Sequence, residues 1–78
     1  MEITSNKWFS LSREQRKTFT GCVTWPSGLK FHYYNGKYHN ENGPAIRYPD
    51  DKCNEYYINN VKTSKYGLEL YREATHSH

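Results

Sequence analysis

Between residues 21 and 62 the chain reads as short bursts of alternating apolar and polar residues, each closed by turn chemistry. Alternation with a period of two marks a strand with one buried side, because successive side chains point to opposite faces of a sheet. This reading puts Val23 and Trp25, Ile46 and Tyr48, and Leu68 and Leu70 on the core side, with Tyr34 and Ile58 as their partners. The opposite side then presents Phe31, Tyr33, Arg47, Tyr57 and Tyr71, with Lys37 and Lys62 beside the hairpin turns. Asn35-Gly36 supplies the two positive-φ residues that a two-residue hairpin turn requires. Asn59-Asn60 does the same with residues that enter the left-handed region at a cost glycine avoids. Pro26-Ser27-Gly28 and Pro49-Asp50-Asp51 are turns of another kind, with proline fixing φ at the first central position. The pattern predicts antiparallel strands of about five to seven residues joined at these four turns.

The same signals recur at a nearly fixed spacing. With an offset of 24, Tyr33-Tyr34-Asn35-Gly36 falls on Tyr57-Ile58-Asn59-Asn60, Gly43 on Gly67, and Ile46-Arg47 on Leu70-Tyr71. With an offset of 23, Val23-Thr24-Trp25-Pro26-Ser27-Gly28 falls on Ile46-Arg47-Tyr48-Pro49-Asp50-Asp51. Self-similarity at this period points to stacked supersecondary units, each too small to bury its own apolar face. Architectures of this kind favour binding over catalysis.

The series Asn35, Gly36, Lys37, His39, then Gly43, Pro44, Ala45, then Pro49 and Asp50 resembles the MORN-type repeat variant of small bacteriophage and mobile-element proteins, antitoxin-like ones included. The resemblance covers roughly residues 21 to 72. Its outer copies depart from the motif: Thr63 stands in place of the His, Leu68 in place of the Pro, and Cys22 follows Gly21 with no Pro. The resemblance implies a mainly β fold, a small antiparallel sheet of MORN-like hairpin repeats. It also implies an accessory protein that binds and inhibits a host factor in the host cytoplasm, in counter-defence or toxin neutralisation. It implies no particular chemistry, since a fold does not fix a function.

The two ends of the chain follow different rules. Ser12 with Gln15 three residues on reads as a capping box ahead of the helix formers Arg13 to Lys17, which predicts a short N-terminal helix within residues 1–20. Trp8, Phe9, Leu11 and Phe19 could dock that segment on the sheet as a cap for the repeat stack. Residues 64–74 admit two readings, a strand in repeat register or a helix capped by Thr63 or Ser64. Strand is favoured because Gly67 costs a helix interior about 1 kcal/mol. One domain is expected, with the repeat sheet at 21–72 and a flexible tail at 73–78.

Composition narrows the picture. In a chain of 78 residues, eight Tyr, three Phe and two Trp carry most of the apolar area, and a domain this size buries only about 60 to 65% of its unfolded surface. Thin stability of that sort favours a homo-oligomer or a partner. Cys22 and Cys53 form no CxxC pair, which fits a reducing cytosol, with a secreted disulfide as the alternative. No apolar run is long enough for a signal peptide or membrane helix, so no membrane partner is expected.

Candidate chemistry is sparse. Cys22, Cys53, His32 and His39 occur without a nucleophile elbow or a helix N-terminus behind them, and His39, beside a turn, suits a structural hydrogen bond. His76 and His78 alone make a weak metal grip, and no phosphate-binding glycine loop is present. No enzyme activity, cofactor or metal is therefore expected. What remains is an aromatic and basic surface: Lys30, Phe31, Tyr33, Lys37, Arg47, Tyr57 and Lys62. Such a face can anchor a host protein through Tyr and Arg, or it can stack the bases of RNA while cations hold phosphates. It can equally be a thin sheet's own covering, packed under the N-terminal helix. A net charge of +3 and a pI near 8.9 permit RNA binding without demanding it.

Overall fold

The computed structural model describes residues 1–76. The chain forms β1 (Glu2–Thr4), α1 (Ser5–Ser10), α2 (Arg13–Lys17), β2 (Gly21–Thr24), β3 (Lys30–Tyr34), β4 (Lys37–Tyr38), β5 (Ile46–Arg47), β6 (Tyr56–Ile58), β7 (Val61–Thr63) and α3 (Lys65–His76). β1 runs parallel to β2, β2 is antiparallel to β3, and the far edge of β3 is shared, with β4 along its end and β5 along its start. β6 and β7 form a second hairpin, joined to the main sheet by the Ile46↔Glu55 bridge. The result is a small, mainly β fold of antiparallel hairpins closed by a C-terminal helix. Its strands are two to five residues long, shorter than the pattern predicts, because turn and bulge residues take up the rest.

All four turns lie where their chemistry puts them. Asn35 and Gly36 have φ of 53° and 80°, and Asn59 and Asn60 have 49° and 69°, so both hairpins are closed by two left-handed residues. The proline turns match bond for bond at the offset of 23: the Gly28 N–H donates to the Trp25 carbonyl at 2.9 Å and the Asp51 N–H to the Tyr48 carbonyl at 3.0 Å, with positive φ at Gly28 and Asp51. The pairing Val23↔Phe31 likewise has its counterpart in Ile46↔Glu55. The unit is thus a strand, a proline turn, a second strand, an Asn turn and a third strand, and it occurs twice. The second copy is one residue longer before its middle strand, and there the side chain of Asn54 accepts from the Tyr48 N–H at 2.9 Å in place of a backbone carbonyl.

The assignment of faces needs correction. Val23 lies directly opposite Phe31 and Phe31 opposite Ile46, so all three share one side; Tyr33 pairs with Gly21 and with Tyr38 on that same side. Phe31 and Tyr33 therefore belong to the core, and Tyr34, 55% exposed, points away from it. Trp8 of α1 stacks on Tyr33 with ring centroids 4.8 Å apart, and Phe19 meets both rings edge-on. Phe9 packs on Trp25 at 5.3 Å, and Phe31 lies 5.8 Å from Tyr38. The aromatic face is thus the covered one. Alternation within a strand gives two interleaved sets of residues; only cross-strand register says which set faces in.

The Ser12–Gln15 capping box is present, with both of its hydrogen bonds made. β1 and α1 were not expected, since three and six residues carry too little pattern to read. The Arg16 guanidinium ties α2 back to α1 by donating to the Trp8 and Phe9 carbonyls, each at 3.1 Å.

At the other end the strand reading fails, because residues 65–76 form a helix that also takes in the first part of the expected tail. Ser64 begins it: its hydroxyl accepts from the Gly67 N–H at 3.0 Å and its carbonyl from the Leu68 N–H at 2.9 Å. Gly67 is tolerated because a Cβ there would run into Thr63 Oγ1, so its absence lets the helix lie against β7 and bury Leu68. His78, and with it the His76 and His78 pair, lies outside the described residues.

Gly36 carries two constraints at once, a left-handed φ and a Cα that abuts the Lys17 carbonyl. Gly36→Val should cost at least about 2 kcal/mol. Gly43→Ala, whose Cβ would meet only the Asn40 side-chain nitrogen at 3.8 Å, should stay within about 0.5 kcal/mol of the parent. Chemical denaturation of both variants checks the pair, and equal stabilities would contradict the turn's role.

Candidate functional site

The outer face of the main sheet collects the polar set of side chains. Lys30 stands opposite both Thr24 and Arg47, Cys22 opposite His32, and Tyr34 opposite Lys37. A concavity of about 420 Å³ opens over this face, bordered by Glu2, Cys22, Lys30, His32, Asn40 and Arg47. It continues into a second hollow of about 440 Å³ along Tyr34, Glu41 and Asn42, the two sharing Tyr33, His39 and Asn40 in their walls. The result is a polar groove with two cations at one end and an exposed tyrosine at the other.

The two groove residues that could serve as nucleophile and base, Cys22 and His32, are held toward their neutral forms. Cys22 Sγ lies 4.0 Å from His32 Nε2. Burial pushes the Cys22 thiol up, only partly offset by a hydrogen bond with Thr24, while burial and then the charges of Arg47 and Lys30 push His32 down. Both shifts work against a thiolate–imidazolium pair, the form a cysteine nucleophile needs. Among the described residues no group of three or more His, Cys, Asp or Glu side chains is placed to hold a metal ion.

His39 is a structural hub. Its Nδ1 lies 3.1 Å from the Asn59 backbone N–H, which can only donate, so Nδ1 is the acceptor and the ring proton sits on Nε2, facing Glu41 Oε2 at 3.1 Å. Asn40 continues the joint between the hairpins, its N–H donating to the Tyr57 carbonyl at 3.2 Å and its side-chain amide to the Pro44 carbonyl at 3.0 Å.

The seven residues singled out from sequence separate into three groups. Lys30, Lys37 and Arg47 share the outer face, Lys30 paired with Arg47 at the start of β3 and Lys37 opposite Tyr34 at its end, with Arg47 Nε 3.2 Å from Asp51. Phe31 and Tyr33 lie inside, where burial and the neighbouring Tyr38 push the Tyr33 hydroxyl far up. Tyr57 and Lys62 face each other on the second hairpin around Glu55. Glu55 accepts from the Tyr48 hydroxyl at 2.8 Å and the Tyr57 hydroxyl at 3.1 Å, and Lys62 Nζ is 3.5 Å away. Those donors, Tyr48 first, hold the Glu55 carboxyl below its usual range. Tyr57 also extends the inner aromatic row, 5.4 Å from Tyr38. The groove residues missed from sequence are Tyr34, taken for core, together with Asn40 and the pairing of Cys22 with His32. Opposite parity to the apolar set was the available signal for Tyr34 and His32.

His32 and Glu55 both have lowered values in the folded protein, so both favour their deprotonated forms there. The stability they add is complete above their ordinary values of 6.5 and 4.5 and is lost as pH falls through the lower folded ones. Melting temperature should therefore drop on acidification, with His32→Gln flattening the weakly acidic part of the curve and Glu55→Gln the more acidic part. Thermal unfolding from neutral pH to about pH 3.5 measures this, and variants that track the parent at every pH would refute the assignment.

Comparisons of the chain with protein-family models, curated proteins and solved structures return no match.

Proposed function

We propose that the chain is a non-enzymatic binding protein that occupies a protein of its host cell, as a small phage-type accessory inhibitor in counter-defence or toxin neutralisation. The observation that carries this reading is the outer groove. Lys30, Arg47 and the exposed Tyr34 border it, with Lys37 opposite Tyr34 on the same face, while α1 spends its aromatic side chains on the opposite face. Tyr and Arg are favoured interface anchors, and Lys30 and Arg47 at one end of a groove that also holds Glu2 and Glu41 fit a partner surface of mixed charge with carboxylates placed for those two cations. The neutral Cys22 and His32 support the absence of catalysis. The twice-used unit supports the MORN-type resemblance, from which the phage setting is taken. Free Cys22 and Cys53 suit a cytoplasmic setting, and no described helix is long and apolar enough to cross a membrane.

RNA is the competing ligand. A base-stacking platform needs free aromatic faces, and Phe31, Tyr33 and Tyr57 are engaged with one another's neighbours through Trp8 and Tyr38. Tyr34 alone gives little stacking surface, so protein is the better fit.

Affinity purification of the tagged chain from host cells, with and without nuclease, tests the reading against its rival. The complex should survive nuclease, Tyr34→Ala should weaken it by about 1 to 3 kcal/mol, and Lys30→Glu with Arg47→Glu should abolish it. A complex that disappears with nuclease, and whose affinity falls by about one log unit per log unit of salt for each phosphate contact, would replace the protein partner with RNA.

A further inference from the structure

The two hairpin turns are seated in the same way. In the first joint the Asn35 N–H donates to Thr20 Oγ1 and the Gly36 N–H to the Phe19 carbonyl, each at 2.9 Å. In the second the Asn59 N–H donates to His39 Nδ1 at 3.1 Å and the Asn60 N–H to the Tyr38 carbonyl at 2.9 Å. The Asn60 side-chain oxygen also accepts from the Tyr38 N–H at 2.7 Å. Each joint thus consists of two consecutive N–H groups of a left-handed turn inserted into a carbonyl and the next residue's side-chain acceptor on the preceding edge. Phe19-Thr20, Tyr38-His39 and, at the offset of 24, Lys62-Thr63 are the three edges of this kind.

The third edge is open. Tyr57↔Lys62 lies between Ile58↔Val61, which closes the turn, and Tyr56↔Thr63. Hydrogen-bonded and non-bonded pairs alternate along an antiparallel ladder, so the Lys62 N–H and C=O point away from β6, as those of Tyr38 point away from β3. Among the described residues no other backbone bond takes them up. Val61 beside them is 67% exposed, and the Lys62 side chain is 66% exposed. Thr63 stands where Thr20 and His39 stand in the other two joints, with its hydroxyl turned toward Gly67 of α3, so the edge offers its main-chain groups first.

We infer that the outer edge of β7 is a docking site for a β-hairpin of a partner protein, one whose two-residue turn is of Asn-Asn or Asn-Gly type. The inference deepens the binding reading above by naming a second contact surface and the chemistry it takes. The occupant is a turn because both existing joints, continuous with this edge, take a turn. It belongs to another protein because this chain's own two such turns already have their N–H groups engaged. Lysine at the edge keeps a second β7 from pairing with it, since a two-fold axis through Lys62 would set two ammonium groups side by side.

The probe is a cyclised peptide of residues 56–63, whose Asn59-Asn60 turn is free, titrated into the isotope-labelled full chain. Amide signals of Lys62 and Thr63 should shift, and hydrogen exchange at the Lys62 amide, fast in the free protein, should slow. A peptide with Asn60→Gly keeps the turn but loses the side-chain acceptor, and should bind about three- to tenfold more weakly. Lys62→Pro in the full chain removes an N–H that makes no internal bond together with the exposed Lys62–Glu55 ion pair, so the fold should survive with a melting temperature within about 5 °C of the parent, and peptide binding should vanish. A Lys62 amide already protected in the free chain overturns the inference even if the proline variant does not fold. So do shifts that map elsewhere or are absent at millimolar peptide, and so does a Lys62→Pro-sensitive dimer, which would put a second copy on the edge. The titration reads only β7, so its failure leaves the outer groove reading standing, and failure of the groove variants leaves this one standing.

Discussion

The structure depends on one repeated device, a left-handed two-residue turn whose adjacent N–H groups are driven into the edge of the preceding segment. A two-stranded hairpin of this size is marginal by itself in water. Neither hairpin here stands alone, because the first turn is locked to Phe19 and Thr20 and the second to Tyr38 and His39. Left-handed residues would cost stability at an unsupported turn. Here the same conformation aims two consecutive donors in one direction, and the hydrogen bonds they make offset the strain. His39 shows how specific the arrangement is: its acceptor nitrogen holds Asn59, and its other nitrogen is held in turn by Glu41.

Once the turns are seated, the aromatic side chains have little choice. A sheet this thin has few aliphatic residues, and Val23, Ile46 and Leu68 account for most of those fully buried. Large rings fill the remaining volume along the inner face, running from Trp8 through Tyr33 and Tyr38 to Tyr57. Rings of this size cover area at a low cost in side-chain entropy, so a short helix with one tryptophan suffices to close the N-terminal end. The Arg16 side chain then caps α1 and lies over Trp8 at 5.5 Å, which keeps the lid in place.

Local chemistry was legible in the sequence and global parity was not. Asn35-Gly36, Asn59-Asn60, the two proline turns and the Ser12 capping box each depend on residues within four positions of one another, and each forms as expected. The near-constant spacing of those turns revealed the duplicated unit. Which side of β3 faces inward depends on how it registers with β2 and β5, and a shift of one residue exchanges the two sets of side chains. Choosing wrongly there moved Phe31 and Tyr33 to the surface and Tyr34 to the core, and the candidate site went with them. The C-terminal helix was misread for a related reason. Gly67 disfavours a helix in isolation, but a Cβ there would displace the Thr63 hydroxyl as it stands, and burial of Leu68 offsets the propensity cost.

The same geometry separates the surfaces left for function. Consuming the aromatic residues inside leaves an outer face on which Lys30, Arg47, Lys37 and Tyr34 accompany Cys22 and His32, both held toward their neutral forms. Stacking by turns also leaves the last edge unmatched, because the helix that follows Thr63 packs with both β6 and β7 and makes no backbone hydrogen bond to Lys62. A repeat stack ended by a helix laid on its strands is therefore closed against solvent on one face and still open along its edge. On the binding reading proposed above, a single duplicated unit offers two regions of different character, one lined by charged side chains and one of main-chain hydrogen-bonding groups, and a partner that engaged both would be selected by charge and by shape together.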